Sequence, residues 1–210
     1  MCLSFLMCCR SGAQQRESLQ CPEEYIMALK DTTTLKPGQI SYLYKCFCSL
    51  AKDSSEYPPV NLKKSSFLAL TSLQRNPILS MLLTSMFGDK KRIKFIDFAK
   101  YLSNFQACSS TLKPQQINEI KQRKLKILFN MYDHDKNGII SEEDLIFVVH
   151  KLFSDIWTTQ QIMNVASMMI LEMDSSNTNQ ILFNDFCTAL EIFDMEEHLI
   201  TKIPSVGGRI

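Results

Sequence analysis

Residues 133–144 read Asp133-His134-Asp135-Lys136-Asn137-Gly138-Ile139-Ile140-Ser141-Glu142-Glu143-Asp144. Oxygen-bearing side chains recur at the first, third, fifth, ninth and twelfth places, as Asp133, Asp135, Asn137, Ser141 and Asp144. The seventh place, Ile139, offers its backbone carbonyl. Gly138 fills the sixth, where the chain must turn sharply with a positive φ that glycine adopts at little cost. A hard cation such as Ca²⁺ takes roughly six to eight oxygens, and acidic and amide side chains alternating around a tight turn supply them. The twelfth place departs from the usual pattern. Asp144 is one methylene shorter than Glu, so it reaches the ion through one oxygen or through a water. The expectation is weaker Ca²⁺ binding, or a site that Mg²⁺ also occupies.

The flanks turn this loop into a helix–loop–helix. Leu125, Leu128, Phe129 and Tyr132 share one helical face before it, and Leu145, Val148 and Val149 share one after it. This is the EF-hand arrangement, and Ile140 at the eighth place suits the short strand that pairs two such loops. A second copy begins 41 residues on, at Asp174-Ser175-Ser176-Asn177-Thr178-Asn179-Gln180-Ile181-Leu182-Phe183-Asn184-Asp185. Its candidate ligands are Asp174, Ser176, Thr178, Gln180 (by its carbonyl) and Asp185. Asn179 replaces the glycine and tolerates the left-handed region better than other side chains. Only two carboxylates remain and Leu182 stands at the ninth place, so fewer charges oppose the ion. The expectation is a structural loop whose Ile181 pairs with Ile140.

Two further units are worn down. After Leu50, Ala51 stands where a first Asp belongs, and a 16-residue stretch with Pro58-Pro59 leads to Phe67. Between Phe87 and Phe98 the chain reads Gly-Asp-Lys-Lys-Arg-Ile-Lys-Phe-Ile-Asp. That loop is two residues short, with Lys90, Lys91 and Arg92 where ligands belong. Both are read as loops that cannot hold calcium. The fold class that follows is all-α: four EF-hand helix–loop–helix units in two lobes.

The expected boundaries are a Cys-rich flexible start at 1–21, an N-terminal lobe at 22–105, a linker at 106–116, a C-terminal lobe at 117–200 and a tail at 201–210. Helices are expected near 22–30, 39–50, 67–72, 78–87, 97–105, 117–131, 144–153 and 185–193. Pro37-Gly38 reads as a break. Thr158 or Thr159 caps a helix carrying Ile162, Val165, Ala166, Met169, Ile170 and Met173 on one face. Lys121, Arg123, Lys124 and Lys126 read as a solvated helix face.

Composition limits the function classes. Thirteen Phe, eleven Met and 45% hydrophobic residues supply a substantial core. A formal net charge of +1 gives no bulk-charge reason to expect nucleic acid. None of the eight Cys forms a Cys-x-x-Cys pair or a zinc-type cluster with His, which points to free thiols in the cytoplasm. Residues 1–10, Met-Cys-Leu-Ser-Phe-Leu-Met-Cys-Cys-Arg, hold an apolar run too short to span a bilayer. Acylation of Cys2, Cys8 or Cys9 would anchor the chain to a membrane, and an unstructured apolar start is the alternative. Cys2 excludes the N-myristoylation pattern. No phosphate-binding glycine loop, Gly-x-Ser-x-Gly elbow or His-Glu-x-x-His is present, so no catalytic residue and no enzyme is expected.

Particular wording narrows the superfamily. Leu43-Tyr44 with Phe47 and Leu50, Leu73-Gln74-Arg75-Asn76-Pro77, Ile93-Lys94-Phe95-Ile96-Asp97-Phe98 and Phe129-Asn130-Met131-Tyr132-Asp133 resemble segments of calcineurin B and the calcineurin B homologous proteins. The resemblance covers residues 39–200. Calcium and integrin-binding proteins are similar as well, with Asp at the twelfth place of the third loop and damaged N-terminal loops. The resemblance implies a non-catalytic regulatory or adaptor subunit. Such subunits clamp an amphipathic helix of a larger protein, such as a phosphatase catalytic subunit, an ion exchanger or a receptor tail. An ion-independent EF-hand scaffold is the alternative. A freestanding calcium buffer fits poorly, because a buffer keeps several tight loops.

Overall fold

The computed structural model describes residues 19–51, 57–70, 76–106, 113–191 and 203–205. Cys2, Cys8 and Cys9, most of the expected linker and the helix expected beyond Glu191 lie outside the described residues. The described elements run α1 (Glu23–Thr32), α2 (Pro37–Leu50), β1 (Asn61–Lys63), α3 (Lys64–Leu68), α4 (Leu79–Phe87), β2 (Arg92–Lys94), α5 (Phe95–Ser103), α6 (Pro114–Tyr132), α7 (Glu142–Phe153), α8 (Thr159–Met173) and α9 (Phe183–Ala189). The chain is mostly helical, as an EF-hand fold requires.

The chain divides into two compact units. The first takes Met1–Arg75, Met86–Cys108 and Leu199–Ile210, and the second takes Asn76–Ser85 and Ser109–His198. These differ from the expected 22–105 and 117–200 in two places. Asn76–Ser85 groups with the second unit, where Lys151 Nζ donates to Ser80 Oγ at 3.0 Å. Ile203 groups with the first unit, buried, with its carbonyl accepting from Gln39 Nε2 at 3.0 Å.

In the first unit, Ile40, Leu43, Tyr44 and Phe47 recur at helical spacing on α2 and are all buried. The Phe95 ring meets Tyr44 edge-on at 5.1 Å and Phe47 at 5.6 Å. Phe47 also lies 5.7 Å from Phe98. Each large apolar side chain removed from water here contributes about 1.5–3 kcal/mol. β1 and β2 pair antiparallel, with Asn61 opposite Lys94, Leu62 opposite Ile93 and Lys63 opposite Arg92. Leu62 and Ile93 face the core. In the second unit the Phe129 ring meets Phe183 and Phe186 edge-on at 5.4 and 5.5 Å.

Several expected boundaries shift, each for a local reason. Pro37 does not break the chain: it is the first residue of α2, where its missing N–H costs nothing. Pro114 plays the same part in α6, which therefore begins inside the expected linker 106–116. α3 starts at Lys64 and not at Phe67, because β1 runs straight into it. α7 starts at Glu142, since the Ser141 hydroxyl accepts from Asp144 N–H and caps the helix. Thr158 caps α8 in the same way, accepting from Gln161 N–H at 3.3 Å. Lys124 is not on a solvated face: it has no exposed surface. The ammonium of Lys126 sits over the Phe129 and Phe183 rings at 4.6 and 4.7 Å.

Candidate metal centre

Two helix ends deliver the loop at 133–144. Asp133 closes α6, with its N–H donating to Phe129 carbonyl at 2.8 Å, and Asp144 stands in the first turn of α7. Between them Lys136 and Gly138 take positive φ, 61° and 91°. The turn folds the loop's own N–H groups onto its acids. Asp133 Oδ1 accepts from Asn137 N–H at 3.1 Å, and Oδ2 accepts from Gly138 N–H at 3.0 Å. Asp135 Oδ1 accepts from Asn137 N–H at 3.0 Å, and Asn137 Oδ1 accepts from Ile139 N–H at 2.9 Å. Asp144 Oδ1 accepts from His134 N–H at 3.0 Å, and Oδ2 accepts from Ser141 N–H and from the Ser141 hydroxyl at 2.9 and 2.7 Å.

The result is a concentration of negative charge. One oxygen each of Asp133, Asp135 and Asp144 lie within 4.8 Å of one another, and Asp133 and Asp144 are buried. Burial first, then the carboxylates of Asp144 and Asp135, raise the Asp133 carboxyl above its ordinary value. The N–H groups of Gly138 and Asn137 act against that rise. Three acids so close repel one another at a cost that a bound cation removes. An all-oxygen donor set of carboxylates, amide and backbone carbonyl suits Ca²⁺ or Mg²⁺ over a softer metal.

The loop at 174–185 has the same backbone and a different electrostatic state. Asn177 and Asn179 take positive φ, 55° and 58°. Ile181 bridges to Ile140, with N–H to carbonyl distances of 2.9 and 3.0 Å, as the pairing of two loops requires. Its candidate ligands, however, satisfy one another. The Ser175 hydroxyl donates to Asp185 Oδ1, and the Ser176 hydroxyl donates to the same oxygen at 2.7 Å. Leu182 N–H donates to Oδ2 at 3.1 Å. The hydroxyls of Ser175 and Ser176 hold the Asp185 carboxyl below its ordinary range despite burial. Thr178 Oγ1 donates to Gln180 carbonyl at 3.1 Å, which occupies the expected seventh-place ligand. Asp174 accepts from Thr178 N–H at 3.1 Å and Asn179 N–H at 2.6 Å.

Two contributors are hard to see in the sequence. His134 falls at a non-ligating place, yet its N–H orients Asp144 and its ring stacks on Phe147 with centroids 3.6 Å apart. Ser175 falls at the second place, which supplies no ligand in an EF-hand loop. A hydroxyl there, with a second at Ser176, is the one available signal that the twelfth-place acid is already partnered.

Paired helix–loop–helix units and an acid-lined twelve-residue loop define an EF-hand protein. No family model matches the chain. Curated relatives do, over most of its length. The calcineurin B subunit of Candida glabrata is 26% identical over 179 residues, covering 85% of this chain and 94% of the relative. The calcineurin B subunit of Naegleria gruberi is 28% identical over 184 residues, covering 87% and 95%. Calcineurin B homologous protein 3 of Homo sapiens is 26% identical over 194 residues, covering 82% and 88%. The chain has an EF-hand fold and is similar to calcineurin B subunits and to calcineurin B homologous protein 3 over most of its length.

Proposed function

We propose that this chain is a calcium-binding, non-catalytic regulatory subunit that holds an amphipathic helix of a larger protein. The ion is held by the carboxylates of Asp133, Asp135 and Asp144, the side-chain oxygen of Asn137 and the carbonyl of Ile139, with Ser141 beside them. Asp174, Ser176, Thr178, Gln180 and Asp185 serve the loop pairing instead. The observation that carries the metal assignment is the convergence of three carboxylates within 4.8 Å. Relatives named as subunits of calcineurin support the regulatory role. An exposed apolar pair on α8 supports a helix partner: Met168 is 66% and Leu171 81% exposed, three residues apart on one face. Methionine lines such surfaces well because it adapts to different partners. In this reading the protein works in the cytoplasm, and acylation of Cys2, Cys8 or Cys9 brings it to a membrane.

Calorimetric titration with Ca²⁺, with and without millimolar Mg²⁺, tests the assignment beside an Asp133→Ala variant. One binding event that the variant abolishes supports it, and competition by Mg²⁺ establishes a mixed site. A fluorescently labelled amphipathic helix with apolar residues at i, i+3, i+4 and i+7 tests the partner. Saturable binding that Met168→Asp with Leu171→Asp removes is expected. The ion-independent scaffold is the second reading, favoured by the self-satisfied loop at 174–185. Helix binding with no heat from either ion would select it.

A further inference from the structure

The charge on the first unit is not spread evenly. β1 and β2 with their adjoining residues carry Lys63, Lys64, Lys90, Lys91, Arg92 and Lys94, while the whole chain is only +1. Leu62 and Ile93 face inward, so the alternation of a strand places Lys63, Arg92 and Lys94 on the opposite, outer face. Arg92 and Lys94 are exposed, as are Lys90 and Lys91. Lys63 stands directly opposite Arg92. Like charges in that relation destabilise a ribbon. Asp89 and Asp97 flank the run, and residues 57–70 contain no acid. Among the described residues, Lys63, Lys90, Lys91, Arg92 and Lys94 take part in no ion pair. Positive charge is thus concentrated in the loop that, in the third unit, carries acids.

Apolar side chains border this charge. Val60, which leads into β1, is 51% exposed, Tyr57 is 59% exposed and Leu68 at the end of α3 is 49% exposed. Basic residues beside exposed aliphatic and aromatic ones match the boundary between phospholipid headgroups and acyl chains. An acidic peptide alone would use the charges and leave the apolar border idle. No described helix is long and apolar enough to cross a membrane, so the contact would be peripheral. We propose that the β1–β2 ribbon, through Lys63, Lys90, Lys91, Arg92 and Lys94, docks on a membrane surface rich in anionic phospholipid. This does not depend on the metal centre or on the helix partner.

The test is co-sedimentation of the full, unacylated chain with vesicles of phosphatidylcholine mixed with phosphatidylserine, and of phosphatidylcholine alone. Binding is expected to the mixed vesicles only, and to weaken as salt rises. The triple variant Lys91→Gln, Arg92→Gln, Lys94→Gln should lose about a hundredfold in partitioning, from about 1 kcal/mol per charge at an anionic surface. Lys121→Gln with Arg123→Gln, on α6, should bind as the unmodified chain does. If the triple variant does not fold, Lys63→Gln with Lys90→Gln replaces it and should lose more than about tenfold on the same basis. Equal binding to neutral vesicles, undiminished binding by the ribbon variants, or an equal loss in the α6 variant overturns the proposal. So does a chain that ignores both vesicles and binds poly-glutamate through the same residues, which would make the occupant an acidic protein segment.

Discussion

The loops at 133–144 and 174–185 share a backbone, bridge to each other through Ile140 and Ile181, and differ in what their acids face. In the first, Asp133, Asp135 and Asp144 converge, and Asp133 is pushed up by burial and by its neighbours. In the second, hydroxyls of Ser175 and Ser176 sit against Asp185 and pull it down. An acid held above its ordinary value, with other acids beside it, is stabilised by a cation. Asp185 has hydroxyl and N–H donors in place of neighbouring carboxylates, so no such repulsion is there for a cation to relieve. On the metal assignment proposed above, loop geometry alone does not separate the two. Both twelfth-place acids meet a serine hydroxyl, and what distinguishes the two loops is that three carboxylates converge in the first.

The largest expected effect is loss of the first site. Asp133→Ala should lower Ca²⁺ affinity by at least about a hundredfold, since it removes a charged ligand and the acceptor for two loop N–H groups. Calorimetry would read it as disappearance of the binding heat. The converse experiment converts the second loop. Ser176→Asp with Thr178→Asp adds two carboxylates, takes one hydroxyl from Asp185 and frees the Gln180 carbonyl. Calcium bound per chain should rise from one to two. If it does not, charge count is not what separates the loops.

Much of this contrast is visible in the sequence, and the reason is spacing. Ligands on alternate residues, Gly138 at the turn and an isoleucine at the eighth place of each loop are fixed-distance signals, so Ile140 and Ile181 could be paired in advance. Fixed distances do not reveal how side chains share donors. The Ser175 hydroxyl bond to Asp185 spans ten residues and depends on the folded turn. Lys124 illustrates the same limit, since a lysine among Lys121, Arg123 and Lys126 reads as solvated until the packing of α6 removes it from water. Pro37 and Pro114 are ambiguous for another reason: proline both stops and starts helices, and only the N–H groups that follow tell which.

A smaller change should tune the first loop. Asp144→Glu restores the longer side chain and should raise Ca²⁺ affinity by about tenfold while reducing competition from Mg²⁺. Titration in the presence of Mg²⁺ checks it. In the second loop, Asp185→Ala leaves the Ser175 and Ser176 hydroxyls and Leu182 N–H without their acceptor. It should destabilise the fold by about 1–3 kcal/mol, seen as a lower melting temperature with the calcium titration unchanged.

The smallest effect is also the one whose sign separates the loops. Asp133 is raised, so in metal-free protein the folded state holds its proton more tightly than the unfolded state does. Stability from this group is then greatest at acid pH and falls as pH rises from the unfolded value through the raised one. Asp185 is lowered, so its contribution is present above the unfolded value and is lost as pH falls towards the folded one. Asp133→Asn should therefore raise the melting temperature of the metal-free chain at neutral pH, and Asp185→Asn should lower it. Adding Ca²⁺ should reverse the order for Asp133, because only the carboxylate gains from the ion. Melting curves of both variants, with chelator and with Ca²⁺, decide the matter. Two variants that shift in the same direction without metal would mean that the acids of the first loop are as well satisfied as those of the second, and the electrostatic distinction between the loops would fail.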